Sequence, residues 1–230
     1  VDIAGLVKGA SKGEGLGNKF LSHIREVDAI IHLVRCFESN KITHVNSKIN
    51  PVEDLETIKT EIILSDLDII QKKLEKGKKK LLEEKEIKLL EEKLTQLNDG
   101  KEVVANNKDE EKFLTSLGLL SIKPKIIVCN VDEESLAEGN SFTDSIKKNY
   151  LDEKVIIICA DIEDQIMGLD KNERETFMKE IGLNKTGLNQ LIKEGYELLN
   201  LDTFFTSGPE ETRAWTIEKN TAAPKAASVI

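Results

Sequence analysis

Aromatic residues are scarce in this chain of 230 residues, at only 4%, so a core must be built mostly from isoleucine, leucine and valine. No stretch approaches the ~18 consecutive apolar residues that a membrane-spanning helix needs, and we expect no membrane partner. The chain also has few cysteines. Cys36, Cys129 and Cys159 are far apart and form no Cys-x-x-Cys pair, which favours reduced thiols over a metal site or a disulfide framework.

An excess of basic residues is absent as well, because the formal net charge is −9. This negative charge argues against binding of nucleic acid by the protein surface as a whole, and we expect no DNA partner. A local basic patch is the alternative that it does not exclude. The first residues do not form a charged and apolar leader, so a cytoplasmic location is expected. Since the chain opens with Val1 rather than methionine and ends at Ile230 without a terminal signal, both ends are expected to be cut.

Three short apolar runs predict buried strands, at Ala29–Val34, Lys125–Cys129 and Val155–Cys159. Their β-branched residues at consecutive positions are typical of strands that are covered on both faces, as in a parallel sheet. Val1–Ile3 fits the tail of a fourth strand. Because helical patterns lie between the runs, the sequence predicts an α/β sheet.

A highly charged segment between residues 51 and 98 breaks this alternation. Its apolar residues follow helical spacing in two stretches, and the phase shifts beside Gly77. The stretches consist of Leu67, Ile70, Leu74 and Leu81, and of Ile87, Leu90, Leu94 and Leu97. The shift favours two helices that fold back as an antiparallel hairpin, and a single long kinked helix is the alternative.

Candidate nucleotide-binding residues follow the predicted strands. Asp2 closes the first strand and Gly5 comes soon after it. In an open α/β sheet such a carboxylate can hold a Mg²⁺-bound water while the glycine amide approaches a γ-phosphate. The motif Asp2–Gly5 has only four residues and is weak evidence by itself, so an ordinary strand-to-loop turn is the alternative.

A second loop, Asn130–Glu133 (NVDE), follows the strand KIIVC at the point where GTPases carry Asn-Lys-x-Asp. In that motif the aspartate accepts hydrogen bonds from N1 and N2 of guanine. Glu133 is one methylene longer and Val131 replaces the lysine, so guanine should fit poorly. Asn130 can still bond a purine edge, and Val131 can pack on the ring. In a third loop, at Cys159 and Ala160, a backbone N–H can meet the base.

The segment VDIAGLVKGASKGEGLGNKFLSHIREVDAIIHLVRCFE resembles the switch II region of the YchF/Obg-like ATPase family almost letter for letter. The resemblance continues through NVDE and GYELLNLDTFFTSGPEETRAWTI to the last residue, so it covers essentially the whole chain. It implies an α/β P-loop NTPase (GTPase-like) fold with a mostly parallel sheet, here incomplete. An antiparallel helical coiled-coil arm is inserted, and a ubiquitin-like TGS domain begins near the end. The implied boundaries are 1–50 and 123–203 for the GTPase-like domain, 51–122 for the arm and 204–230 for the truncated TGS domain.

The resemblance also implies an activity. Members of the family hydrolyse ATP with Mg²⁺, use GTP less well, and associate with ribosomes, through rRNA or ribosomal proteins, and with translation factors. Asp2 and Gly5 match the family's Mg²⁺ and γ-phosphate motif. Asn130, Val131 and Glu133 match the altered motif that the family uses for adenine.

The resemblance also concerns the residue that positions the attacking water. Leu6 stands where Ras-like GTPases have the glutamine that positions water, and an apolar side chain cannot orient a nucleophile. The family's suspected substitute is a histidine that aligns with His44. A loop histidine that bonds to backbone is the alternative for this position.

One family feature is missing from the sequence, because no G-x-x-x-x-G-K-[ST] motif occurs anywhere in it. In the family this P-loop would precede Val1, and its strand would lie between the strand that ends at Asp2 and the strand Ala29–Val34. We therefore expect these residues alone to bind nucleotide poorly and to fold marginally. A non-hydrolysing, nucleotide-gated ribosome-binding module and a conventional GTPase remain the alternative functions.

The arm offers a further candidate surface near its tip. Six lysines cluster there: Lys72, Lys73, Lys76, Lys78, Lys79 and Lys80. Such a group can contact RNA phosphates. Since glutamates follow closely from Glu83 onward, an ordinary solvated helical surface is the alternative.

Overall fold

A computed structural model describes residues 16–39, 48–77 and 82–230 of the chain. In chain order the elements are α1 (Leu16–Glu26), β1 (Ile30–Arg35), α2 (Pro51–Gly77), α3 (Glu84–Asn98), α4 (Lys108–Ser116), β2 (Lys125–Asn130), α5 (Ser141–Asn149), β3 (Lys154–Ile158), α6 (Ala160–Gly168), α7 (Lys171–Glu180), α8 (Gly187–Leu198), β4 (Leu201–Ser207), β5 (Thr212–Glu218) and α9 (Ala223–Ala227). Among the described helices, none is long and apolar enough to cross a membrane.

Three of the strands form a parallel sheet in the order β1-β2-β3. The registers place Arg35 beside Asn130, and Asn130 beside Ile158, so the carboxyl ends of all three strands lie at one edge. The three strands agree with the predicted runs to within one residue at each end. The predicted α/β class and the parallel sheet are confirmed.

The two faces of this sheet are covered differently. One face packs against α2 and α5, in a cluster that includes Val34, Ile127 and Ile146. On the other face α8 covers the central and third strands, but Ile31 and Leu33 of β1 stay 53% and 62% exposed. The prediction that every strand is covered on both faces is therefore wrong for β1, which lies at an edge of the described sheet where no described helix covers this face.

The arm consists of two helices, as the phase shift predicted. α2 and α3 pack against each other, and the apolar residues of both stretches meet in one core with Leu114 and Leu119. A break separates the helices, and α3 starts where the Glu86 carboxylate accepts a hydrogen bond from the backbone N–H of Glu83 at 2.9 Å. This arrangement excludes one long kinked helix. Leu81 of the predicted pattern lies outside the described residues.

A buried lysine joins the arm to the helix that follows it. Lys93 of α3 is 0% exposed, and its Nζ lies 2.9 Å from a Glu92 oxygen and 4.0 Å from a Glu110 oxygen. Glu110 of α4 also accepts hydrogen bonds from the backbone and side-chain amides of Asn106 and from the side-chain amide of Asn107. The buried charge is thus compensated, as a lysine inside a core requires.

The last described segment forms a separate two-stranded antiparallel sheet. Its strands are β4 and β5, so the segment expected to begin the TGS domain forms a β-hairpin. Trp215 of β5 donates to the Thr206 hydroxyl at 2.9 Å and is stacked by the Arg213 guanidinium at 4.2 Å. Phe205 of β4 is 73% exposed, so this hairpin does not bury all of its own apolar residues.

Candidate nucleotide-binding site

The carboxyl edge of the parallel sheet brings together two of the predicted loops, since both follow neighbouring strands. Asn130 ends β2, and Cys159 and Ala160 follow β3 directly. In open α/β sheets ligands bind outside the carboxyl ends of the strands. The predicted neighbourhood of these residues is therefore present in the fold.

Asn130 is bonded to both neighbouring strands. Its side-chain oxygen accepts a hydrogen bond from the backbone N–H of Ala160 at 2.9 Å, and its backbone carbonyl accepts one from Cys36 at 2.7 Å. The backbone N–H of Val131 donates to Ile158 at 2.8 Å. The Ala160 N–H, one of the two that the sequence suggested for the base, is thus used inside the protein. The Asn130 amide group is left as the donor that an external ligand can meet.

Val131 has a different environment from the one its motif suggested. Its side chain is only 2% exposed and belongs to the core cluster with Ile127 and Cys129. These three residues alternate along the strand, so all of them face the same side of the sheet. The side chain is therefore enclosed, and any contact between Val131 and a ligand must involve its backbone.

The rest of the loop after β2 is a capped turn. The Asp132 carboxylate accepts a hydrogen bond from the backbone N–H of Ser135 at 3.0 Å, and the Glu133 carbonyl accepts one from Leu136 at 3.2 Å. The Glu133 side chain is exposed and forms no hydrogen bond or ion pair with any described residue. Within Asn130–Glu133, its carboxylate is thus the charged group that is left open to a ligand.

The third loop begins a helix at the site. Cys159 caps α6 and is 2% exposed, in a cluster with Ile162 and Ile166, whereas Ala160 is exposed. Cys159 therefore positions the loop by packing, and Ala160 lies at the surface beside Asn130.

Glu163 is a site-flanking residue that sequence reasoning missed. One of its oxygens accepts from the backbone N–H of Gly187 at 2.6 Å, and the other accepts from that of Leu188 at 3.2 Å. It thereby fixes the start of α8 against α6. A Cβ at Gly187 would lie 2.5 Å from Cγ2 of Ile158, so glycine is needed for this close approach. A single glycine gives no sequence signal for such a contact, because the glutamate that bonds to it is 24 residues away.

Arg35 and Asn140 were also not predicted from the sequence, and both bond to the segment that follows β1. Arg35 donates from Nε to the Phe37 carbonyl at 3.0 Å and from a terminal nitrogen to the Ser39 carbonyl at 3.3 Å. Its guanidinium also stacks on the Phe37 ring at 4.7 Å. From the other side, the Asn140 amide donates to the Cys36 carbonyl at 2.7 Å. An arginine at a strand end and an asparagine at a helix start carry no sequence signal for these pairings.

Asp2, Gly5 and His44 lie outside the described residues, and so does Leu6. The predicted Mg²⁺ site, γ-phosphate contact and hydrolytic histidine thus remain predictions. Within the described ranges, no three His, Cys, Asp or Glu side chains are grouped so that they could hold a metal ion. The fit of Mg²⁺ to this chain consequently depends on Asp2.

His32 of β1 lies in a small cavity on the sheet face that packs against α2. Charged and titratable groups surround it from the elements around the cavity: Lys59, Glu102, Lys125, Tyr150 and Glu153. Burial, and then the positive charge of Lys125, lowers the pKa of His32 from 6.5 to about 4. The imidazole is therefore neutral at pH 7, as a histidine packed in a buried position requires.

This shift predicts a pH dependence of stability. Between pH 6.5 and 4 the unfolded chain binds a proton at His32 that the folded chain does not, so the free energy of unfolding falls as the pH is lowered through this window. The pKa difference corresponds to roughly 3 kcal/mol, and we expect about 2 kcal/mol after allowing for partial exposure. Urea unfolding at several pH values gives the free energy of unfolding as a function of pH. Its slope against pH should be shallower for His32→Gln than for the unsubstituted chain.

The exposed His23 of α1 provides the matched control for this measurement. His23→Gln is expected to keep the slope of the unsubstituted chain. Equal slopes for His32→Gln and the unsubstituted chain would show that protonation of His32 does not oppose folding.

Known proteins and structures are similar to this chain over its whole length. A family model described as 50S ribosome-binding GTPase matches residues 1–131, and the model for the C-terminal domain of YchF GTPases, described as a protein of unknown function, matches residues 201–230. The ribosome-binding ATPase YchF of Bacillus subtilis is 43% identical, and that of Mycoplasma pneumoniae is 42% identical. All of this chain is covered in both cases, with 66% and 67% of those proteins.

A solved structure gives the same result for the fold. The structure of the Schizosaccharomyces pombe YchF GTPase superposes with a TM-score of 0.83 at 34% sequence identity, over 98% of this chain and 64% of that one. The chain spans about two thirds of the length of the curated relatives it matches.

Proposed function

Since this chain belongs to the YchF family, we propose that it acts as part of a cytoplasmic NTPase that binds and hydrolyses ATP with Mg²⁺ and associates with ribosomes. GTP is the weaker substrate in this proposal. The observation that carries it is the hydrogen bond between Asn130 and Ala160, which joins the two loops that we expect to contact the base. Relatives named ribosome-binding ATPases support the activity and the partner.

Base selection follows from the donors and acceptors at this edge. With its oxygen held by Ala160, Asn130 presents an N–H donor, and the N7 atom of a purine is an acceptor. That contact serves adenine and guanine alike. Guanine additionally needs a carboxylate placed for its N1 and N2 donors, and the longer Glu133 side chain does not reproduce the position of an aspartate. Guanine thus loses a contact that GTPases supply.

Testing this proposal requires the segment that would carry the P-loop. We define the extended protein as this chain joined at Val1 to the segment that precedes the matching position in the Bacillus subtilis relative. Glu133→Asp in the extended protein is expected to raise GTP affinity relative to ATP by about 10-fold, because one paired contact to guanine is restored. Fluorescent-nucleotide titration measures both dissociation constants.

Glu134 is the matched control, because it is exposed and lies next in the same loop. Glu134→Asp should leave the ratio of ATP to GTP affinity unchanged. If Glu133→Asp also leaves it unchanged, the discrimination against guanine does not arise at this position.

The hydrolytic part of the proposal rests on residues at the start of the chain and on His44. Mg²⁺ would neutralise charge on the transferring phosphoryl group. Asp2 would hold the ion through water, the Gly5 amide would approach the γ-phosphate, and His44 would orient the attacking water that Leu6 cannot orient. A non-hydrolysing, nucleotide-gated ribosome-binding module needs none of these steps.

His44→Ala in the extended protein separates the two functions. If His44 orients the water, kcat should fall about 100-fold while the dissociation constant for ATP stays within about 2-fold, because one general base or positioning group contributes about that much. Turnover of ATP by the variant and its parent checks this. Hydrolysis at the background rate in the unsubstituted protein would favour the non-hydrolysing module instead, and an unchanged kcat would remove His44 from the proposal.

The ribosomal contact is proposed for the tip of the arm, with rRNA phosphates as the ligand rather than ribosomal protein. Of the predicted cluster, Lys72, Lys73 and Lys76 lie in the last two turns of α2, and Lys72 is paired with Asp68 at 2.6 Å. Lys78, Lys79 and Lys80 lie outside the described residues. Lys85 and Lys88 begin α3 beside them, with Lys88 paired with Glu84 at 2.9 Å. Several lysines at one end of a projecting hairpin suit a backbone contact that does not depend on base sequence.

A further inference from the structure

Five polar residues tie the base of the arm to α1 and to the chain that enters β2. We call this group the arm junction, and its members are Arg25, Ser65, Asp66, Ser121 and Lys123. Asp66 of α2 is 0% exposed and accepts hydrogen bonds from the backbone N–H groups of Leu120 and Ser121 at 2.8 Å each. The Ser121 hydroxyl donates to the same carboxylate at 2.5 Å. These bonds therefore connect α2, the first helix of the arm, to the returning chain, which is the segment between α4 and β2.

The end of α1 is fastened to the same place. The Arg25 guanidinium donates to the Ser65 hydroxyl at 2.8 Å. The Lys123 ammonium donates to the carbonyls of Arg25 and Val27 at 3.0 and 2.5 Å, a favourable position for a cation at a helix C-terminus. An apolar cluster beneath these bonds joins α1 to α2 and to Leu120. Movement of α1 therefore cannot leave α2 and the returning chain unaffected.

Ser65 and Asp66 lie near the middle of α2, so a displacement at the junction acts on both halves of this helix. α2 is one helix of 27 residues, which corresponds to about 40 Å. Its first half packs on the sheet through Leu55, and its second half forms the arm through Ile70 and Leu74. A displacement applied near the middle of the helix changes the direction of the half that projects beyond the sheet.

The junction also contains a group that is not satisfied in the observed arrangement. The Arg25 Nε atom is buried without a hydrogen-bond partner among the described residues. Burial raises the pKa of Asp66, and the charge of Arg25 is among the interactions that oppose this rise. Arg25 bonds to Ser65, the residue next to Asp66, but forms no ion pair with Asp66 within the described ranges. A rotation of α1 that brings the guanidinium onto this carboxylate would satisfy the buried N–H.

We propose that the arm junction transmits movement of α1 to the arm, so that the nucleotide state sets the direction of the arm relative to the sheet. The inference rests on the proposed function, because α1 directly follows the segment that holds Asp2 and Gly5. Arg25, Ser65 and Lys123 are positioning residues in this role. They touch neither nucleotide nor the reacting atoms.

The test measures the distance between arm and sheet in the extended protein. Spin labels at Glu91→Cys on α3 and Lys148→Cys on α5 occupy exposed positions, whereas Cys36, Cys129 and Cys159 are buried. Double electron–electron resonance is recorded with ADP and with a non-hydrolysable ATP analogue. We expect the distance distribution to differ between the two nucleotides. Ser65→Ala and Lys123→Met should each reduce that difference by at least half, with ATP affinity close to that of the parent.

Lys179→Met, an exposed lysine on α7, is the matched control and should leave the difference intact. Ser65→Ala removes a single hydroxyl and guards against loss of folding in Lys123→Met. A full-sized difference in both variants, or no difference in a parent that binds both nucleotides, would overturn the inference. A parent that binds no nucleotide contradicts the proposed function itself, and the inference then falls with it.

Discussion

Asp66→Ala is expected to lower the free energy of unfolding of the extended protein by about 3–5 kcal/mol. The carboxylate is fully enclosed and accepts three hydrogen bonds, two from backbone N–H groups and one from the Ser121 hydroxyl. Removing it leaves three buried donors without partners, and each unsatisfied group costs about 1–3 kcal/mol, less where water can enter the space left behind. Urea unfolding followed by circular dichroism measures the loss.

The same helix supplies the control for this prediction. Asp68 lies two residues further along α2, is exposed, and pairs with Lys72 at the surface. Asp68→Ala is therefore expected to change the free energy of unfolding by less than about 1 kcal/mol. A loss at Asp66 no larger than that at Asp68 would show that the bonds to Leu120 and Ser121 contribute little to stability.

Asn130→Ala in the extended protein is expected to weaken ATP binding by about 30- to 100-fold. The substitution removes the donor proposed for the purine N7 and also leaves the Ala160 N–H without its acceptor. Together these losses amount to about 2–3 kcal/mol. The larger part of the effect comes from the loop, because the Asn130 side chain bonds the start of α6 to the end of β2. Fluorescent-nucleotide titration gives the affinity.

Asn149→Ala serves as the control, because Asn149 is an exposed asparagine whose side chain bonds to the Ser145 carbonyl within α5. Its ATP affinity should match that of the unsubstituted protein. Comparable affinities for Asn130→Ala and Asn149→Ala would contradict the placement of the base at the carboxyl ends of β2 and β3.

The parts of the fold that could be predicted from the sequence are those whose signals are local. The runs KIIVC and VIIIC mark β2 and β3 because consecutive β-branched residues suit a buried parallel strand. The apolar spacing through Ile70 and Leu74 in one stretch and Leu90 in the other marks the two arm helices. Asn130 and Ala160 lie at the carboxyl ends of these two strands, so the sequence also predicted that they meet at one edge of the sheet.

Other features depend on contacts that no local pattern reveals. The bonds from Asp66 to Leu120 and Ser121 join residues more than fifty positions apart. The use of the Ala160 N–H by Asn130 depends on how two strand ends meet. Val131 is buried on the same face as Ile127 and Cys129, which its comparison with the GTPase motif did not suggest.

Selection of adenine by the loop Asn130–Glu133 is tested most directly by a titration of the extended protein with fluorescent ATP and GTP in the presence of Mg²⁺. We expect ATP to bind more tightly, by about 10-fold or more, because guanine lacks a partner for its N1 and N2 donors. Equal affinities, or tighter binding of GTP, would contradict it.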